Sequence, residues 1–177
     1  YLQQNGRTHG WEDMGHALKD SCNIYFYTLG DRLGIDKLGQ YASMFGLGRT
    51  TGLELPEAQG YVAGPETSAR LGAQWYGGDL LSAAIGQGNT QTTPLQLANY
   101  VATLVNGGNH YSAHLLQSVK SGDYSSLIYR QEPELLDTLN ISEKNTEAVK
   151  AGMRLLATEG SVRNYFKDLP VTVGAKT

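Results

Sequence analysis

The stretch Lys19-Asp20-Ser21-Cys22-Asn23-Ile24-Tyr25-Phe26 decides how this chain is read. Before it, Met14, Ala17 and Leu18 recur at i, i+3 and i+4. After it, Phe26, Leu29 and Leu33 recur at i, i+3 and i+7. Both spacings are helical. Asp20, Ser21 and Asn23 prefer helix ends to helix interiors, because their side chains compete for nearby backbone groups. The spacing therefore predicts two helices meeting at a short connector, with the Ser21 hydroxyl and the Asn23 carboxamide exposed on it. The bland reading is that Ser21 only caps the second helix. What weighs against it is the far end of the chain, Lys176-Thr177, and the text between.

The chain has 177 residues, enough for one domain with a core or a large piece of one. Apolar residues make up 40% and charged residues 18%, a globular composition. The formal net charge of −3 gives no electrostatic footprint for nucleic acid or an anionic membrane surface. Cys22 is the single cysteine, so no internal disulfide forms. No apolar run approaches the roughly 20 residues that span a bilayer. The chain opens at Tyr1 without Met and stops at Thr177. The expectation is one partial domain over 1–177, cut at both ends.

In order, the first predicted helices end near Gly34, a C′-type glycine. Asp36 is expected to cap a helix carrying Leu38, Tyr41, Ala42 and Phe45, closed by Gly46. Residues 57–78 read as mostly irregular, with a short helix over 67–73, and Asp79 as the cap of another through Ala84. Thr93-Pro94 is the firmest helix start, because proline at the first helical position lacks only an N–H that would be unpaired anyway. Leu97, Val101, Leu104 and Val105 are its expected buried stripe. A strand is predicted over 111–120, pairing with 126–130 across the turn Ser121-Gly122-Asp123. Residues 131–141 read as a polar connector. Ser142 caps a last long helix with Val149, Met153 and Leu156 inward, and Val171-Thr172-Val173 begins a strand.

Several phrases, taken together, resemble one family. Ala17 to Phe26 is similar to the Ser-x-Asn region of penicillin-binding proteins. Phe45-Gly46-Leu47-Gly48 and Thr51-Gly52-Leu53-Glu54-Leu55-Pro56 resemble the segment that follows it in class B members. Trp75 to Asp79, Ile85-Gly86-Gln87-Gly88 and Thr93 to Ala98 look like the same family's central text. Val173-Gly174-Ala175-Lys176-Thr177 looks like the start of its Lys-Thr-Gly strand. The ordered set is far more specific than any one tripeptide. The resemblance implies an α+β fold: the mostly helical part of a penicillin-binding protein/β-lactamase-like transpeptidase domain, with few short strands and an incomplete sheet. No serine in these 177 residues is followed three positions later by lysine, so the family's acylated serine and its lysine partner are absent from this text.

The resemblance further implies acyl transfer from a D-Ala-D-Ala stem peptide, with β-lactam antibiotics as mimics. It implies no cofactor, other cell-wall synthesis proteins as partners, and a place on the extracytoplasmic face of a bacterial membrane. By resemblance, the catalytic residues present are Ser21, Asn23 and Lys176, and the substrate-binding residues Asn23, Lys176 and Thr177. Ser21 would relay a proton to the leaving nitrogen, since a hydroxyl both donates and accepts. Asn23 would hydrogen-bond the substrate amide. Lys176 would set a cation opposite the substrate carboxylate, and Thr177 would help hold the strand. Without the nucleophile the chain alone is expected to be inactive.

Two rival readings stand beside this one. A β-lactam-hydrolysing or β-lactam-sensing relative shares these motifs, but no Glu stands in a recognisable hydrolytic context. The other rival is a non-catalytic scaffold. Cys22 reads as a small packed thiol. His110 and His114 fall on one face of the predicted strand, but no Cys or carboxylate lies close in sequence, so they make a poor metal site.

Overall fold

The computed structural model describes residues 8–177. Asp13 opens the first helix, α1 (Met14–Lys19), its carboxylate accepting from His16 N at 2.9 Å. Asp20 closes α1 and Cys22 precedes α2 (Asn23–Leu33). Ser21 sits between them with φ +48°, a left-handed conformation that costs a β-carbon residue about 1 kcal/mol or more. None of Asp20, Ser21 and Asn23 caps α2 through its side chain. The capping role expected of this connector is corrected: the Ser21 hydroxyl is committed elsewhere.

Gly34 both ends α2 and starts α3 (Ile35–Met44), so Asp36 lies in the first turn rather than at the cap. A short helix α4 (Pro65–Arg70) stands slightly ahead of the predicted 67–73. Helix α5 (Gly77–Ala84) begins two residues before Asp79, whose carboxylate reaches back to Tyr76 N at 2.8 Å. Gly30 of α2 meets α5 so closely that a Cβ there would lie 2.3 Å from Ala84 Cβ.

Helix α6 (Pro94–Val105) starts where Thr93-Pro94 predicts, with a reciprocal cap between Thr93 and Gln96. Its buried face differs from the expected stripe. Gln96, Thr103 and Leu104 are buried, whereas Leu97, Val101 and Val105 are exposed. The reason is Gln96: its Nε2 donates to Arg49 O at 2.6 Å and Gln59 O at 2.8 Å, tying two loops over the polar side of the helix.

The predicted strand 111–120 is two strands. β1 (Asn109–Tyr111) and β2 (Ser118–Lys120) are separate, and β2 pairs with β3 (Leu127–Arg130) as expected. β1 instead pairs antiparallel with β4 (Leu135–Thr138), inside the stretch read as a polar connector. β1 ends before His114, so His110 and His114 do not share a strand face. Two two-stranded sheets among helices match the expected α+β class with few strands and an incomplete sheet.

Ser142 caps α7 (Glu143–Thr158), which buries Thr146, Gly152, Leu156 and Ala157. α1 packs along it, with Ala17 and Leu156 fully buried. A single turn, α8 (Arg163–Phe166), follows. The expected strand at 171–173 does not form: Val171 lies in a bend, 172–177 have no regular structure, and among the described residues no strand lies beside them. The chain is tied to α7 just after this segment: Ala175 N donates to Met153 O at 3.0 Å.

Candidate active site

The fold brings Ser21 and Lys176 together across 155 residues. Lys176 Nζ donates to Ser21 Oγ at 2.8 Å. Ser21 Oγ donates to the Thr177 main-chain oxygen at 3.0 Å and lies 2.7 Å from Thr177 Oγ1. A hydroxyl has one proton and two lone pairs. With the Ser21 proton on the Thr177 oxygen, the lone pairs receive Lys176 and the Thr177 hydroxyl, and every slot is filled. Lys176 Nζ also contacts the Thr177 main-chain oxygen.

Three local features aim these groups. Left-handed Ser21 turns the chain sharply between α1 and α2. Buried Ala17 and the bond from Cys22 N to Ala17 O (2.9 Å) fix the turn to the end of α1. The Met153 carbonyl fixes the chain one residue before Lys176. Desolvation holds the Lys176 ammonium below the ordinary lysine range. A lysine that releases its proton more readily and touches a hydroxyl can exchange protons through that hydroxyl.

Asn23 occupies the first turn of α2 with its carboxamide exposed. A cavity of about 990 Å³ opens beside it, between residues 8–12 and the start of α2. Ser21, Asn23, Trp11, Glu12 and Arg32 line it; Lys176 and Thr177 do not. Ser21 is thus shared between the lysine contact and the cavity wall. Cys22, between the two motif residues, is buried at 7% exposure and points its thiol to packing.

Motif reasoning missed the residues that anchor the arms of this site. Gly152 and Met153 of α7 touch neither Ser21 nor Lys176, yet they hold the segments that carry both. Only the glycine in an otherwise good helix hints at a close approach.

Residues 2–177 match the family described as the penicillin binding protein transpeptidase domain, and the chain belongs to that family. The peptidoglycan D,D-transpeptidase MrdA of Acinetobacter baumannii is 40% identical over 112 residues, 62% of this chain and 17% of that protein. MrdA of Escherichia coli strain K12 is 31% identical over 183 residues, covering 97% of this chain and 28% of that protein. Among solved structures, penicillin-binding protein PBP2 of Helicobacter pylori, in complex with MreC, is similar with a TM-score of 0.77 at 28% identity, covering 96% of this chain and 30% of that one. The chain thus spans less than a third of each of these relatives' lengths. The class B resemblance holds, and a hydrolysing or sensing relative is not favoured.

Proposed function

We propose that this chain supplies part of the reaction centre of a peptidoglycan D,D-transpeptidase. It would carry the proton-relay hydroxyl, the amide-binding carboxamide and the cation, but not the acylated serine. The observation that carries the reading is the 2.8 Å contact from Lys176 Nζ to Ser21 Oγ. The substrate is a stem peptide ending in D-Ala-D-Ala, and β-lactams are its mimics.

In this reading the acyl group passes to a serine outside this text. As the C–N bond of the terminal peptide breaks, the leaving nitrogen takes the Ser21 proton, and Lys176 restores it. Lys176 also faces the substrate carboxylate. Asn23 offers a donor and an acceptor to the substrate amide, and Thr177 braces the extended segment beside which the peptide lies as an added strand. The transpeptidase domain to which the chain belongs would act on the extracytoplasmic face of a bacterial membrane. Its protein partners would belong to cell-wall synthesis; the Helicobacter pylori relative forms a complex with MreC. Among the described residues, no helix is long and apolar enough to cross a membrane.

Two measurements test this. Fluorescent penicillin is expected to leave no adduct that survives denaturation, because no Ser-x-x-Lys is present. A surviving adduct would overturn the account of the nucleophile. A D-Ala-D-Ala peptide titrated into labelled protein is expected to shift the amide resonances of Ser21, Asn23 and Lys176, and Lys176→Ala to abolish the shifts. Saturating peptide without shifts at these residues would refute the substrate assignment.

A further inference from the structure

Two arms reach the Ser21–Lys176 contact, and both rest on neighbouring residues of α7. The first arm is α1, which ends two residues before Ser21. It lies so close to α7 that Gly152 has no room for a side chain. A Cβ there would sit 2.6 Å from Leu18 Cδ1, 3.1 Å from Leu18 Cβ and 3.3 Å from Gly15 Cα. The second arm is the segment just before Lys176. Ala175 N donates to Met153 O at 3.0 Å, and a Cβ on Gly174 would lie 3.3 Å from Met153 Cβ. Lys176 follows at once.

Residues 152 and 153 are consecutive on one helix, about 1.5 Å apart along its axis. A helix hydrogen-bonded at every turn holds such a spacing stiffly. We infer that Gly152 and Met153 are positioning residues, which set the separation of Ser21 from Lys176 through the two segments that dock on them. Gly152 acts by letting α1 lie against α7, and Met153 by its carbonyl grip on Ala175. This deepens the transpeptidase reading and rests on it for the catalytic consequence only. The geometric claim stands on the contacts alone.

The tolerance is small. Leu18 Cδ1 ends a flexible side chain and can turn aside, but Leu18 Cβ at 3.1 Å and Gly15 Cα at 3.3 Å cannot, so α1 must give by a few tenths of an ångström and the turn that carries Ser21 moves with it. Gly15 provides a matched control in the same helix pair. A Cβ there would meet Asp13 Oδ1 at 3.5 Å and Leu155 Cδ1 at 3.7 Å, ordinary contacts.

The test reads the nuclear Overhauser effect between Ser21 Hβ and Lys176 Hε in labelled protein, with circular dichroism and Ala175 amide protection as checks on folding and docking. Gly152→Ala is expected to weaken the signal measurably while Ala175 stays protected. Gly15→Ala is expected to leave it unchanged. Gly174→Ala, at an exposed position on the other arm, is expected to weaken it without unfolding the protein, and it decides the matter if Gly152→Ala fails to fold. An undiminished signal in folded Gly152→Ala or in Gly174→Ala overturns the inference, as does an equal loss in Gly15→Ala. Absence of peptide-induced shifts in the unaltered protein would sink the transpeptidase reading and leave this geometry intact.

Discussion

Gly46 lies flat against the imidazole of His110: a Cβ built on it would fall 2.7 Å from both Cε1 and Nε2. Its φ of +83° is also a conformation that glycine adopts and side chains resist. One residue thus closes α3 and opens the space in which a buried histidine sits. Gly46→Ala is expected to destabilise the fold by about 1–3 kcal/mol through overpacking, with backbone strain added. Urea unfolding checks this, and an unchanged midpoint would refute it.

His110 is 3% exposed. Asn99 of α6, which also donates to Tyr111 O, places its amide 3.2 Å from Nε2. An amide donor there requires a bare Nε2, so the proton sits on Nδ1, where no partner meets it. Burial holds His110 below its ordinary value of 6.5; the Arg49 cation adds to this, and Asp137, its neighbour across the β1–β4 pair, opposes it. Because the folded value is depressed, the stability contribution is present above 6.5 and is lost as pH falls through the folded value. Thermal melts from pH 7.5 downward are expected to show this loss, and His110→Gln to flatten it. A variant with the same pH slope as the parent would exclude His110 as its source.

Gln96 is 1% exposed and is the knot between α6 and the loops before it. Besides its two carbonyl partners, its Oε1 accepts from Thr93 N at 3.2 Å. Gln96→Leu preserves the volume but strands Arg49 O and Gln59 O. Each lost hydrogen bond is worth about 0.5–1.5 kcal/mol net, so a loss of about 1–3 kcal/mol is expected in chemical denaturation. A change within experimental error would mean that water reaches both carbonyls.

Glu57 organises the adjoining loop. Its carboxylate accepts from Thr51 N, Thr51 Oγ1, Gly52 N and Leu53 N at 2.7–3.1 Å. Burial opposes ionisation most strongly of any single cause, but the bonds from Thr51, Leu53 and Gly52 together prevail and lower its value. The sign follows: its contribution is present above the ordinary carboxylate value of 4.5 and lost as pH falls through the folded one. Glu57→Gln is expected to destabilise at neutral pH by about 1.5–3 kcal/mol and to match the parent more closely in acid. Equal losses at both pH values would contradict the ionic account.

Desolvation lowers Lys176 from 10.5. The folded state therefore takes up its proton less readily than the unfolded chain. The resulting cost is present at neutral pH and is relieved as pH rises through the folded value toward 10.5. An NMR titration of the Lys176 side chain is expected to show a midpoint below 10.5, and one at or above it would remove the basis for proton exchange with Ser21.

Much of the local structure is legible in the text because its causes are local. Thr93-Pro94 and Ser142 start helices where capping chemistry says they should, and the β2–β3 turn follows from Ser121-Gly122-Asp123. The motif residues, too, are legible as a set, since their order along the chain is itself the signal. The inward face of α6 was misread because periodicity counts apolar residues, while this face is satisfied by amide-to-carbonyl bonds from Gln96.

By itself, then, the sequence determined the family, the helix starts and which residues are candidates for the site. Tertiary structure alone decided that β1 pairs with β4, that Ala175 bonds to α7 and not into a sheet, and that Lys176 touches Ser21. The physical reason is range. Caps and turns are set by bonds among residues a few positions apart, whereas a contact across 155 residues depends on how α1 and the terminal segment both seat against α7.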